Sequence, residues 1–70
     1  GGHTPYVLIS PCIPFTARAP SAPLAAGVVF HAGDVVQVGD VSSDGWLWVS
    51  DREDTAPGIG FIPKSYARPV

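Results

Sequence analysis

Residues 35–49 read Val35-Val36-Gln37-Val38-Gly39-Asp40-Val41-Ser42-Ser43-Asp44-Gly45-Trp46-Leu47-Trp48-Val49, and this stretch decides the fold. Two short runs of β-branched and aromatic residues flank a polar segment that ends in glycine. That pattern is strand, loop, strand. In the first run, residues 35–38, Val36 and Val38 face one way and Val35 and Gln37 the other. In the second, residues 46–49, Leu47 and Val49 take one face and Trp46 and Trp48 the opposite one. Residues 39–45 form the loop, and Gly45 suits a position that needs a positive φ.

The same grammar continues on both sides. Residues 28–31 (Val-Val-Phe-His) predict a short strand closed by Ala32, Gly33 and Asp34, with Asp34 a turn former that binds nearby backbone. Residues 59–62 predict another strand, ended by Pro63. Lys64, Ser65 and Tyr66 fit a single 3-10 turn before the last strand. Residues 50–58 are a polar turn, with Asp51, Glu53 and Asp54 as its solvated tip. Upstream, residues 6–13 are apolar and β-branched but interrupted by Pro11, with Pro14 following, which assigns them to an edge or a strand end. Residues 16–27 carry one charge, Arg18, and Pro20 and Pro23 forbid a helix there. A loop that long in a small domain is functional or mobile. Short strands joined by turn signals predict a small all-β barrel or sandwich.

Composition sets the limits. Seventy residues make one small domain, and a chain this short buries only ~60% of its unfolded surface. Hydrophobic residues at 46% speak against disorder. One cysteine permits no intrachain disulfide, and His3, His31 and Cys12 are too few for a closed zinc site. The fold must therefore stand on packing, in a reducing or neutral compartment, with Ile9, Val28, Phe30, Val36, Val38, Leu47, Val49, Ile62 and Ala67 as its expected core. Four basic against six acidic residues give a net charge of -2 and no basic stripe for nucleic acid. No apolar run is long enough to span a membrane. Gly1 and Gly2 resemble a cloning remnant, and residues 1–5 are expected to be a flexible tail before a domain over 6–70.

Three segments in order resemble a known family. Residues 28–34 look like the ELSFxxGD part of a Src-homology-3 (SH3) domain. Asp44-Gly45-Trp46-Leu47-Trp48 is similar to its DGWW segment. Gly60-Phe61-Ile62-Pro63-Lys64-Ser65-Tyr66-Ala67 resembles its GLFPSNYV ending. Pro11-Cys12-Ile13-Pro14-Phe15 stands where that family has ALYDY and keeps only the final aromatic. The next loop, the RT loop of the family, would be residues 16–27, longer than usual and without its acids. The resemblance implies an all-β, five-stranded SH3-like barrel of two orthogonal sheets, with a short 3-10 turn before the last strand.

It also implies a function. SH3 domains bind proline-rich segments in the polyproline II form, which loses little entropy on docking. Carried over by position, Phe15, Trp46, Pro63 and Tyr66 would line one proline slot, and Ile13 with Tyr66 a second, shallower one. A basic ligand residue would have only Asp40 and Asp44, in the loop before Trp46. The expected partner is thus a proline-rich protein segment bound with weak or atypical specificity. The domain would sit in a larger cytoplasmic adaptor, scaffold, cytoskeletal or signalling protein. The alternative is a structural module with a degraded groove, contacting its parent chain or a folded partner through the long loop and Trp48.

Other residues have plainer readings. Cys12, in the first strand, is a small hydrophobe rather than a reactive thiol. His31 is a solvated turn residue, and His3 lies in a frayed terminus. Trp48 packs across the sheet on Phe61 or Gln37. The residues show no catalytic constellation, so neither an enzyme nor a cofactor is expected. Pro20-Ser21-Ala22-Pro23 is a stiffened loop. As a sharper option it is a Pro-x-x-Pro segment that docks weakly into a neighbouring copy of an otherwise monomeric domain.

Overall fold

The computed structural model describes residues 3–51 and 59–70. It is all-β. Five antiparallel strands, β1 (Thr4–Leu8), β2 (Val35–Val41), β3 (Trp46–Asp51), β4 (Gly60–Pro63) and β5 (Ala67–Pro69), form one hydrogen-bonded sheet in the order β4-β3-β2-β1-β5. One 3-10 turn, η1 (Lys64–Tyr66), separates β4 from β5, as the sequence predicts. The expected polar tip with Glu53 and Asp54 lies outside the described residues.

The central hairpin follows its sequence. Val41 pairs with Leu47, and the turn between them is tight. The Gly45 N–H donates to the Ser42 carbonyl at 3.3 Å, and the Ser42 N–H to the Trp46 carbonyl at 2.8 Å. Gly45 sits at φ +94°, the left-handed region that closes such a loop. β2 runs three residues further than the sequence suggests, so Asp40 is a strand residue opposite Trp48 and not part of the loop. Two bulges bend this pair. The register steps from Gln37↔Asp51 to Val38↔Val49 and then to Asp40↔Trp48, so Ser50 and Gly39 are each the extra residue. Ser50 is buried, and its hydroxyl donates to the Gln37 carbonyl at 3.2 Å.

The core is Tyr6, Leu8, Phe30, Val36, Val38, Leu47, Val49, Ile62 and Ala67. Seven of these match expectation. Ile9 does not, being half exposed, while Tyr6 and Leu8 point inward in its place. The cause is the position of β1. It begins at Thr4, inside the stretch expected to be a tail, and ends at Leu8 rather than Ile13. Pro5 is tolerated near the strand start, where its carbonyl accepts the Val70 N–H at 3.1 Å. Val28 packs against the core from its rim.

Residues 28–31 do not form a strand. Only Phe30 pairs, exchanging bonds of 3.0 and 2.9 Å with Cys12, which lies beyond the end of β1. Positive-φ turns at Gly27 and Gly33 bracket the segment and leave no room for a longer ladder. His31 is solvent-facing, and its N–H donates to Asp34 Oδ2 at 3.0 Å, the turn role foreseen for that aspartate. His3 is not frayed away. A Cβ built on Gly39 would meet its imidazole at 3.1 Å and Trp48 Cδ1 at 3.3 Å, so all three lie together.

Candidate functional site

The segment after β1 carries Ile13 and Phe15, and hydrogen bonds fix it in place. Phe15 bridges both Leu24 and Phe61, and the Phe15 N–H reaches the Phe61 carbonyl at 2.8 Å. From there the long loop runs out and back as a narrow excursion. The Thr16 N–H donates to Pro23 at 2.9 Å and the Ala25 N–H to Pro14 at 2.8 Å. At the tip the Ala22 N–H donates to the Ala19 carbonyl at 3.1 Å, closing a β-turn with Pro20 and Ser21 at its centre. Proline at the second position presets that turn. Residues 20–23 are therefore folded back rather than extended. Docking them into another copy as a polyproline II strand would require opening this turn, so self-association through them loses its structural basis.

Opposite this loop, β4 and η1 supply the second side. Trp46 pairs with Pro63, and the Lys64 N–H donates to the Gly45 carbonyl at 2.8 Å. The hairpin turn and η1 are thus tied together, which sets Tyr66 relative to Trp46. The Ile9 N–H donates to the Tyr66 carbonyl at 2.9 Å and ties η1 to the end of β1.

Between these elements lies an open groove of about 500 Å³. Pro11, Cys12, Ile13 and Phe15 line it from the segment after β1, Leu24 and Val29 from the long loop and its exit, and Pro63 and Tyr66 from around η1. Of the eight sequence-predicted positions, Ile13, Phe15, Pro63 and Tyr66 are brought together here. Trp46 adjoins them edge-on to Phe15, with ring centroids 5.6 Å apart and planes at 90°. Such T-shaped pairs are favourable because a positive ring edge meets a negative face. Trp48 is elsewhere, packed against Phe61 across the β3–β4 pair with ring centroids 4.7 Å apart and planes tilted by 52°. Asp40 is with it on β2, away from the groove lining.

Leu24, Val29, Pro11 and Cys12 were not predicted as site residues. Leu24 and Val29 are half exposed, as is usual for binding surface and unusual for core. Their signal in the sequence was only two large aliphatics in or beside a loop of small residues. Cys12 is partly buried, and burial pushes its thiol pKa up, which favours the protonated, less nucleophilic form.

Asp44 has a partner of its own. Arg18 Nη1 lies 3.9 Å from Asp44 Oδ1, joining the long loop to the hairpin turn. The Asp44 carboxyl is held below its ordinary range, chiefly by a hydrogen bond from the Ser42 side chain and in smaller part by the Arg18 charge. The same Ser42 hydroxyl accepts the Trp46 N–H at 2.9 Å. Among the described residues no charged side chain lines the groove, and no cluster of histidine, cysteine and acidic side chains suits a metal. No helix among them is long and apolar enough to cross a membrane. No family model, curated protein or solved structure matches the chain.

Proposed function

We propose that this domain is a protein-interaction module, resembling an SH3 domain, that captures proline-rich segments in the polyproline II form. One observation carries the reading: an open apolar groove in which Phe15, Pro63 and Tyr66 converge beside Trp46. A ligand of this kind presents flat proline rings that fit between aromatic side chains, and its pre-ordered backbone keeps the entropy cost low. The Trp46 indole N–H can donate to a ligand carbonyl, as an amphipathic aromatic at an interface does. Ile13 offers neither ring nor hydroxyl, which supports modest affinity. As a binding module, not an enzyme, the domain would serve a larger intracellular adaptor or scaffold.

A proline-rich peptide array, followed by Trp fluorescence and amide shifts, tests this. The expected result is perturbation confined to Trp46, Tyr66 and their neighbours. If no peptide at millimolar concentration moves these signals, the groove reading fails. The structural-module alternative, with the long loop and the half-buried Trp48 as its contact surface, then takes its place.

A further inference from the structure

We infer that Arg18 is a specificity residue that turns the groove away from basic ligands, so that its partner is an apolar proline-rich segment with no arginine or lysine anchor. The inference rests on the groove reading above and names the ligand class for it.

Three observations carry it. First, the groove lining is mainly apolar and carries no charged side chain among the described residues, and Leu24 and Val29 extend it with aliphatic surface where an acid would be needed to hold a cation. Second, the long loop has Arg18 as its single charge and no acid of its own. Third, no acid with a described side chain is both free and at the groove. Asp34 accepts from His31, Asp44 faces Arg18 at 3.9 Å, and Asp40, though exposed, lies on β2 opposite Trp48 and outside the groove lining. Asp44 is the acid nearest the site in chain terms, because Gly45 beside it receives the Lys64 N–H and Trp46 follows. The Arg18–Asp44 contact therefore joins the loop that follows Phe15 to the turn that precedes Trp46, the two residues of the edge-on ring pair. A basic ligand residue approaching Asp44 competes with Arg18 for the carboxylate, and exposed Lys64, whose N–H is bonded to the Gly45 carbonyl, adds a further positive charge to that part of the surface. Complementary charge sets partner choice mainly by penalising the wrong partner.

Arg18 is exposed, so its effect is modest and salt-sensitive. The test uses one neutral proline-rich peptide and the same peptide carrying a terminal arginine, titrated into the native domain, Arg18→Ala, Asp44→Asn and the double variant, with Trp fluorescence as readout. The native domain should bind the neutral peptide at least as tightly as the basic one. Arg18→Ala should tighten the basic peptide by about two- to fivefold, the span of exposed ion pairs, and leave the neutral one unchanged. That gain should vanish in the double variant and shrink in high salt. A native preference for the basic peptide, or a gain that survives loss of Asp44, overturns the role of Arg18 while leaving the groove reading intact. Failure of both peptides to bind any form overturns the groove reading, and this inference with it.

Discussion

Phe15 and Phe61 exchange both main-chain hydrogen bonds, at 2.8 Å and 2.7 Å. This bridge holds the groove-bearing segment on β4, although that segment has no strand ladder of its own. The close approach is possible because Gly60 precedes Phe61. A Cβ at Gly60 would stand 2.5 Å from the Phe15 carbonyl oxygen and 3.1 Å from Pro14 Cβ. Gly60→Ala should therefore spread the bridge and cost about 1–3 kcal/mol, the usual range for overpacking. Peptide affinity should fall with it, since Phe15 moves. Urea denaturation checks the first effect, and an unchanged midpoint would show that the backbone yields there without strain.

Ser42 is the next point of leverage, because its hydroxyl serves the hairpin and the carboxylate together. Ser42→Ala leaves the Trp46 N–H without its 2.9 Å acceptor and should cost about 1 kcal/mol. It should also let the Asp44 pKa rise toward the ordinary carboxylate range, since the Ser42 bond is the main cause of its depression. A depressed pKa in the folded state stabilises above the unfolded value, and the contribution is lost as pH falls through the folded one. The part of the stability gap that comes from Asp44 should thus close on acidification. An NMR titration of the Asp44 side chain in both proteins measures this, and identical midpoints would refute it.

How far these features could be read from the sequence varies along the chain. Residues 35–38, 46–49 and 59–67 were legible because alternation and turn residues agree there, and the core positions Val36, Val38, Leu47, Val49 and Ile62 follow from that agreement, whereas residues 39–41 extend β2 through a bulge that alternation does not show. The N-terminal strand was misplaced. An apolar run that extends past Leu8 to Ile13 does not show where pairing stops, and an error of one residue in parity exchanges Leu8 for Ile9. The site was partly legible. Phe15, Pro63 and Tyr66 come from motif positions, but Leu24 is set by the Phe15–Leu24 bridge and Val29 by the neighbouring Cys12–Phe30 bridge, contacts that no local pattern encodes. The commitment of Asp44 to Arg18 was invisible for the same reason, since the two lie 26 positions apart in the chain.

The two tryptophans share a strand face but have different neighbours, which separates their expected roles. Trp46 meets Phe15 edge-on at the groove, whereas Trp48 packs with a tilted ring against Phe61 beside Gly39. Trp46→Ala should abolish peptide binding while the domain stays folded. Trp48→Ala should lower stability by about 2 kcal/mol, roughly half the loss for a fully buried tryptophan, with peptide affinity little changed in the folded fraction. Thermal melts paired with peptide titrations distinguish the two. Loss of folding in Trp46→Ala would mean that this ring supports the sheet rather than a ligand.

Cys12 gives a probe of the groove that needs no substitution. Its thiol lies partly buried beside Ile13 and Tyr66, and desolvation disfavours the thiolate, so the pKa is raised. The thiolate is the species that reacts with alkylating agents. Iodoacetamide should consequently modify the native domain more slowly than the unfolded chain at neutral pH, with its rate still climbing at pH values where that of the unfolded chain has levelled off. The linkage runs in the matching direction. A raised folded-state pKa favours the fold fully below the unfolded thiol value, and this contribution is lost as pH rises through the folded one. Because Cys12 lines the groove, a bound proline-rich peptide should slow alkylation further. Mass spectrometry across a pH series, with and without peptide, measures both effects. Rapid modification at neutral pH would show an open, ionised thiol. Protection absent at saturating peptide would place the ligand away from the Ile13 side, on the Trp46 side alone.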